Sequence, residues 1–248
     1  MVTAGVDLST QRGKTAVAVV RWDGGSARVT DCFRPVDDGF VLDLVRGAAK
    51  VGVDSPLGWP DEFVRFLTDH AASTAEVRAG ETGEEQRRRL TWRLTEQVVR
   101  AAGHQPLTVA ADKIGHVAMR AARLLALLGA EQLPVDRAGS GVVVEVYPAA
   151  SLKRWGFAHR QYKGAANTGA RLALVEELCR RLPWLDLGLA ADACRASDDA
   201  LDAVVAALTA RAAALGFGTA PTADQREQAA REGWIALPTC ETGQLLAG

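Results

Sequence analysis

Val2-Thr3-Ala4-Gly5-Val6-Asp7-Leu8-Ser9 reads as an extended run that closes on an aspartate. Val2, Ala4 and Val6 would line one face and Thr3 and Gly5 the other, so the run predicts a strand packed on both sides rather than a half-solvated edge. A carboxylate at the end of such a strand costs several kcal/mol when it is desolvated and unpaired. Asp7 therefore needs a partner: a metal, a base or backbone amides. The plainer alternative is that it caps the turn at Leu8-Ser9-Thr10, and this segment alone supports both readings.

Composition limits what that aspartate can serve. Of 248 residues 48% are hydrophobic and 24% charged, which suits a globular, soluble chain with a substantial core. No apolar run reaches the roughly 18 residues that span a bilayer, and the N-terminus lacks the basic and apolar regions of a signal peptide. Cys32, Cys179, Cys194 and Cys240 are widely spaced and form no C-x-x-C, so packed thiols are expected rather than a zinc site or disulfides. A cytoplasmic location with no membrane partner follows as the expectation. The net charge of −1 gives no global nucleic-acid footprint, so such a partner would have to meet a local basic patch.

Outward from the first strand, the turn Thr10-Gln11-Arg12-Gly13 leads to Thr15–Trp22, and Asp23-Gly24-Gly25 is a hairpin signal before Ala27–Phe33. Three antiparallel strands are predicted. Val41, Leu44 and Val45 recur at helical spacing within residues 40–49, and Lys-Val-Gly-Val-Asp at 50–54 is a second short apolar strand ending in aspartate. If the two run parallel, as the intervening helix permits, Asp7 and Asp54 share one sheet edge. Ser55-Pro56-Leu57-Gly58-Trp59-Pro60 is a rigid loop.

Residues 61–138 read as a helical insertion. Phe63, Phe66, Leu67 and His70 share one helix face; Leu90, Leu94, Val98 and Ala101 mark a second helix ended by Gly103; Ile114, Val117, Ala121, Leu124, Leu125 and Leu128 mark a third ended by Gly129. Arg87, Arg88, Arg89, Arg93 and Arg100 face Glu84, Glu85 and Glu96, which fits a solvated face with i,i+4 pairs. His70, His104 and His116 have no ligand-like spacing.

Gly141–Tyr147 is the clearest strand, and Glu145 interrupts its valines before Pro148 closes it. Such a glutamate either faces solvent on an edge or points into a site. Residues 149–182 carry seven lysines and arginines against Glu176 and Glu177, around a helix built on Leu172, Val175, Leu178 and Leu182 and ended by Pro183. Ser197 is a plausible N-cap for a long alanine-rich helix in which Asp198 and Asp199 suit the first turn. Asp202 lies beyond that turn and borders the apolar stripe Leu201, Val204, Val205 and Leu208, where capping does not require it. Thr222-Ala223-Asp224-Gln225 is a capping-box pattern, and residues 232–238 predict a strand or docking tail.

This order of elements, with acids closing the first, fourth and fifth strands and the last helix, resembles the ribonuclease H-like superfamily. Asp199-Ala200-Leu201-Asp202-Ala203-Val204 looks like the acidic C-terminal helix of its Holliday-junction resolvases. Gly5–Leu8, Val51–Gly58, Arg93-Leu94-Thr95-Glu96, Val144–Pro148, Tyr162-Lys163, Asp199–Leu208 and Glu232–Ile235 together resemble a predicted-nuclease family known as a domain of unknown function, over nearly the whole chain. Glu96 stands where that family leads one to expect aspartate. The resemblance implies one α/β ribonuclease H-like domain over 1–248, with a five-stranded mixed sheet and flanking helices.

It also implies metal-assisted phosphodiester hydrolysis, with Asp7, Asp54, Glu145 and Asp202 holding Mg²⁺ or Mn²⁺ and Asp199 as a supporting or alternate ligand. Lys153, Lys163, Arg87, Arg88, Arg89 and Arg93 would then contact the phosphates of DNA or RNA. Two other readings stand beside it. Gly5–Thr10 also resembles the first phosphate loop of actin-like sugar kinases, against which the length and the lack of a second Gly-Asp-Gly loop argue; a non-catalytic binding module on the same fold is the third. The sequence leaves the oligomeric state open, a dimer included.

Overall fold

The sequence of elements is β1 (Val2–Asp7), β2 (Ala16–Asp23), β3 (Ser26–Phe33), α1 (Asp38–Gly47), β4 (Lys50–Asp54), α2 (Asp61–Ala71), α3 (Gly83–Thr91), α4 (Leu94–Ala101), α5 (Gly115–Ala130), β5 (Val143–Val146), α6 (Pro148–Arg154), α7 (Thr168–Arg181), β6 (Leu185–Asp186), α8 (Ala190–Ala196), α9 (Asp198–Ala214), α10 (Arg226–Glu232) and β7 (Ile235–Ala236). They come from a computed structural model that describes residues 1–11, 13–75, 78–110 and 114–247. Arg12 of the expected first turn lies outside the described residues.

β1 sits at the middle of a mixed seven-stranded sheet of order β6-β3-β2-β1-β4-β5-β7. It pairs antiparallel with β2 and parallel with β4. Thr3, Ala4 and Val6 are fully buried, because helices cover both faces. Ala4, Val6, Val51 and Val53 pack under α1 and α5 with Val41, Val45, Ala121 and Leu124. On the other face α9, backed by α7 and α8, contributes Leu201, Val204 and Leu208 to a second core over β2 and β3.

α9 forms because its sequence starts and fills a helix. The Ser197 hydroxyl accepts from Ala200 N at 3.4 Å, Asp198 and Asp199 occupy the first turn, and alanines fill the interior at no side-chain entropy cost. It lies unusually close to the sheet. Thr3, Gly5 and Asp7 face it from β1, and a Cβ at Gly5 would fall 1.9 Å from Ala203 O and 2.4 Å from Ala207 N. One at Gly52 of β4 would fall 2.5 Å from Ala206 O. Thr3 Oγ1 closes the seam by donating to Ala207 O at 3.0 Å.

The structure departs from the sequence expectations in four places. The sheet has seven strands rather than five, since β6 pairs with β3 and β7 with β5 through two residues each. The expected second helix of the insertion is two, α3 and α4, broken where Arg93 turns extended (ψ 156°) and enters the core. No residue of α2 is buried; Val64 and Leu67 are exposed. In α7 the buried stripe is Leu174, Val175 and Leu178, with Leu172 exposed and Arg171 buried in its place. No described helix is long and apolar enough to cross a membrane.

The close seam makes a test. Gly5→Ala must push α9 off the sheet and should cost about 3 kcal/mol or more, read by urea unfolding. Gly47→Ala, where an added Cβ meets nothing within 4 Å, should leave stability unchanged or slightly raised.

Candidate active site

The register of β1 on β4 sets Asp7 directly beside Asp54 at one end of the sheet. Each aspartate follows its seam glycine by two residues, so both carboxylates rise on the face covered by α9. Asp202 descends from that helix and is 1% exposed. Its two oxygens are taken: Tyr162 Oη donates to Oδ1 at 2.7 Å, and Lys163 Nζ stands 2.5 Å from Oδ2. The half-buried carboxylates of Asp7 and Asp54 accept no hydrogen bond among the described residues; burial and charge alone act on them.

Three acids around one ammonium leave the site short of positive charge. Burial first, then Asp54 and Asp202, push the Asp7 carboxyl well above its ordinary range against the pull of Lys163. Burial likewise lifts Asp54 to about 7, Lys163 opposing and Asp202 and Glu145 adding. Asp202 is raised by burial in spite of Lys163 and Tyr162. Burial alone would disfavour the Lys163 ammonium, yet Asp202, Asp54 and Asp7 outweigh it and hold it charged.

Asp7, Asp54, Tyr162 and Lys163 line a cavity of about 580 Å³, and Leu8, Pro56 and Leu107 add apolar surface to the same lining. Asp202 lies behind this lining, screened by Lys163. The loop that brings Tyr162 and Lys163 over α9 needs two left-handed residues, Gln161 (φ +56°) and Gly164 (φ +81°). For a non-glycine residue such as Gln161 that conformation costs about 1–2 kcal/mol. Buried Arg171 fixes the loop by donating to Tyr162 O at 3.1 Å and Gly164 O at 3.3 Å.

Glu145 has a different employment. It borders the same cavity, but Arg93 grips it with two bonds of 2.9 and 2.7 Å, and Leu57 N donates to it at 3.0 Å. The Arg93 Nε donates to Glu96 at 3.0 Å, whose other oxygen caps the Arg93 amide at 2.9 Å. Arg93, Glu145 and Glu96 are at most 2% exposed. Burial lifts Glu96 to about 7, with Arg93 opposing and Glu145 adding, because one guanidinium serves two carboxylates. Glu145 is thus an ion-pair partner holding β5, α4 and the loop after Asp54 together, both of its oxygens already engaged. Arg93 is likewise turned inward rather than toward a phosphate.

The remaining predicted residues lie elsewhere. Asp199 pairs with Arg34 at 2.8 Å. Arg87, Arg88 and Arg89 sit on α3 away from the cavity lining; Arg88 faces Glu84 at 3.6 Å, and Arg89 is held by Glu81 and Glu62 at 2.7 Å each. Lys153 donates to Gly103 O at 2.6 Å, also outside the lining. Sequence reading gave no role to Tyr162, Arg171 or Glu232. The Glu232 carboxylate accepts from Asp61 N at 2.8 Å and Leu94 N at 2.7 Å, stapling the starts of α2 and α4. The signals for Tyr162 and Glu232 were the Tyr162-Lys163 and Glu232–Ile235 motifs that carry the resemblance, and Arg171 had none.

Fold and site together define an α/β protein with a cluster of three aspartates, one of them paired with a lysine, at the end of its two central parallel strands. A family model described as a protein of unknown function, DUF429, matches residues 5–226, and the chain belongs to that family. No curated protein matches it.

Two outcomes follow from the charges. Arg93→Met leaves Glu145 and Glu96 buried without their cation and should cost about 3–5 kcal/mol in urea unfolding. Asp54 takes its proton at about 7 when folded but near 3.9 when unfolded. A raised carboxyl stabilises the fold below the unfolded value, and that contribution is lost as pH rises through 7. Without metal, thermal melts should therefore rise from pH 8 to pH 5, Glu96 adding in the same sense, and Asp54→Asn should flatten the trend.

Proposed function

We propose that the chain is a divalent-metal-dependent phosphodiester hydrolase, a nuclease on a ribonuclease H-like fold. The observation that carries this reading is the placement of the Asp7 and Asp54 carboxylates side by side, open to a cavity and accepting no hydrogen bond among the described residues, with Asp202 behind them. Carboxylates crowded in this way repel one another unless a cation joins them. Support for the fold comes from the order β3-β2-β1-β4-β5, with β2 antiparallel to both neighbours and β1, β4 and β5 parallel.

The donor set is all oxygen and anionic, which suits Mg²⁺ or Mn²⁺. Asp7, Asp54 and Asp202 would hold the ion. Glu145 is left out because Arg93 occupies it. As the side chains now stand, no three acids, histidines or cysteines among the described residues are disposed around one point, so a bound ion would have to draw the three carboxylates together. A bound ion would supply Lewis-acid polarisation of the phosphoryl oxygen and activation of the attacking water.

The chain's own groups would do the rest. Lys163 is the cation at the cavity mouth that can meet a phosphate, and Leu8, Pro56 and Leu107 give the apolar surface a nucleoside needs. A nucleic-acid partner would engage this cavity rather than α3, whose Arg88 and Arg89 are paired with glutamates.

Asp7→Asn and Asp54→Asn test the reading by sign. In chelator both variants should melt as high as wild type or higher, because like-charge crowding is relieved. Mn²⁺ should raise the wild-type melting temperature and leave both variants unmoved, and divalent-dependent cleavage of a single-stranded oligonucleotide should fall about 100-fold or more, the loss of several kcal/mol of transition-state stabilisation. Variants that melt lower in chelator yet keep the wild-type metal shift would contradict the assignment.

A further inference from the structure

Lys163 is anchored at its backbone, and its side chain reaches Asp202 with the ammonium. Arg171 holds the carbonyls of Tyr162 and Gly164 on either side of it, and Gly164 N donates to Asp198 at 3.2 Å. The Lys163 side chain is nonetheless 51% exposed, while the Asp202 side chain beneath its tip is 1% exposed. Half of the Lys163 side chain is in solvent, so its ammonium stands at the boundary between Asp202 and water.

Asp202 holds one partner on each oxygen, and the two partners differ in how firmly they are fixed. Its Oδ1 is bound by Tyr162, which is 1% exposed and packed into the core over β2 and β3. That leaves the oxygen now on Lys163. We propose that Lys163 is a tethered counter-ion, which guards Asp202 in the metal-free protein and is exchanged there for the divalent cation, the released ammonium then standing at the cavity mouth to receive the substrate phosphate. The inference rests on the proposed metal role of Asp7, Asp54 and Asp202 and adds to it an order of events. Lys163 becomes available to phosphate only after the ion has taken its place, so phosphate affinity is coupled to metal loading.

Two charges favour the exchange once a divalent ion is near. An ammonium beside that ion on the same carboxylate is repelled by it, and the tether keeps the displaced charge within reach of an anion at the cavity. Without metal, moving Lys163 to solvent would leave Asp7, Asp54 and Asp202 uncompensated, so the pair is the resting state.

Amine acetylation of the intact chain, read by mass spectrometry at each lysine, tests this directly. In chelator Lys163 should label slowly, since the ion pair keeps it protonated. With saturating Mn²⁺, its labelling relative to exposed Lys14 should rise about tenfold, the effect of losing a neighbouring carboxylate worth one pKa unit. Calorimetry on the same samples reports whether Mn²⁺ binds. Binding without any gain in Lys163 labelling would overturn the exchange and leave the metal assignment standing. No binding at all would overturn both.

Discussion

Helix α9 lies so close to β1 and β4 that side chains larger than hydrogen are excluded at Gly5 and Gly52, where a Cβ would meet Ala203 O and Ala206 O at 1.9 and 2.5 Å. The rest of the site depends on that approach. Both strands carry the pattern glycine, valine, aspartate: the glycine admits the helix, the valine packs toward α1 and α5, and the aspartate emerges where the strand ends. Ala203, Ala206 and Ala207 supply the matching small surface on α9, and Asp202, one residue before that surface, is thereby lowered over Asp7 and Asp54. Packing geometry, and not attraction among the acids, brings three like charges together.

Two acidic groups next to the same cavity show how differently a fold can treat buried carboxylates. Glu145 and Glu96 are tied to Arg93 by four bonds, and Glu145 also receives Leu57 N, so this network is satisfied and fixes the loop behind Asp54. Asp7, Asp54 and Asp202 have a single lysine between them. A structural network would be completed by hydrogen bonds, as the first one is; the second is left open toward a cavity and carries raised carboxyl groups that only a cation or a proton relieves. The contrast sets Glu145 apart from the three aspartates, on which the proposed cation site rests.

Much of the scaffold was legible because its signals are local. The aspartate-ended strands, the glycine-marked hairpin and the Ser197 cap of α9 each lie within a few residues of sequence. What was not legible depends on distant partners. Glu145 reads as a site acid in its valine run, and only Arg93, far off in the insertion, makes it an ion-pair partner. The same arginine breaks a helix whose leucine spacing reads as continuous across Leu90 and Leu94. β6 is two residues long and carries no periodicity, and β7 falls in the stretch read as a strand or docking tail, which gives no sign that it pairs with β5. The basic residues around 87–89 read first as a paired, solvated face and second as a phosphate patch, and their glutamates, two of them from outside α3, bear out the pairing for Arg88 and Arg89. The bonds of Tyr162 and Lys163 to Asp202 were hidden because the partners lie about forty residues apart in the chain.

The central claim is that Asp7, Asp54 and Asp202 form one cation site beneath Lys163. Crystals grown with Mn²⁺ and measured at the manganese absorption edge test it most directly. The account predicts an anomalous peak between the three carboxylates, with Lys163 Nζ no longer on Asp202. A crystal that shows no peak there while Lys163 stays on Asp202, or that places manganese elsewhere on the chain, would contradict it.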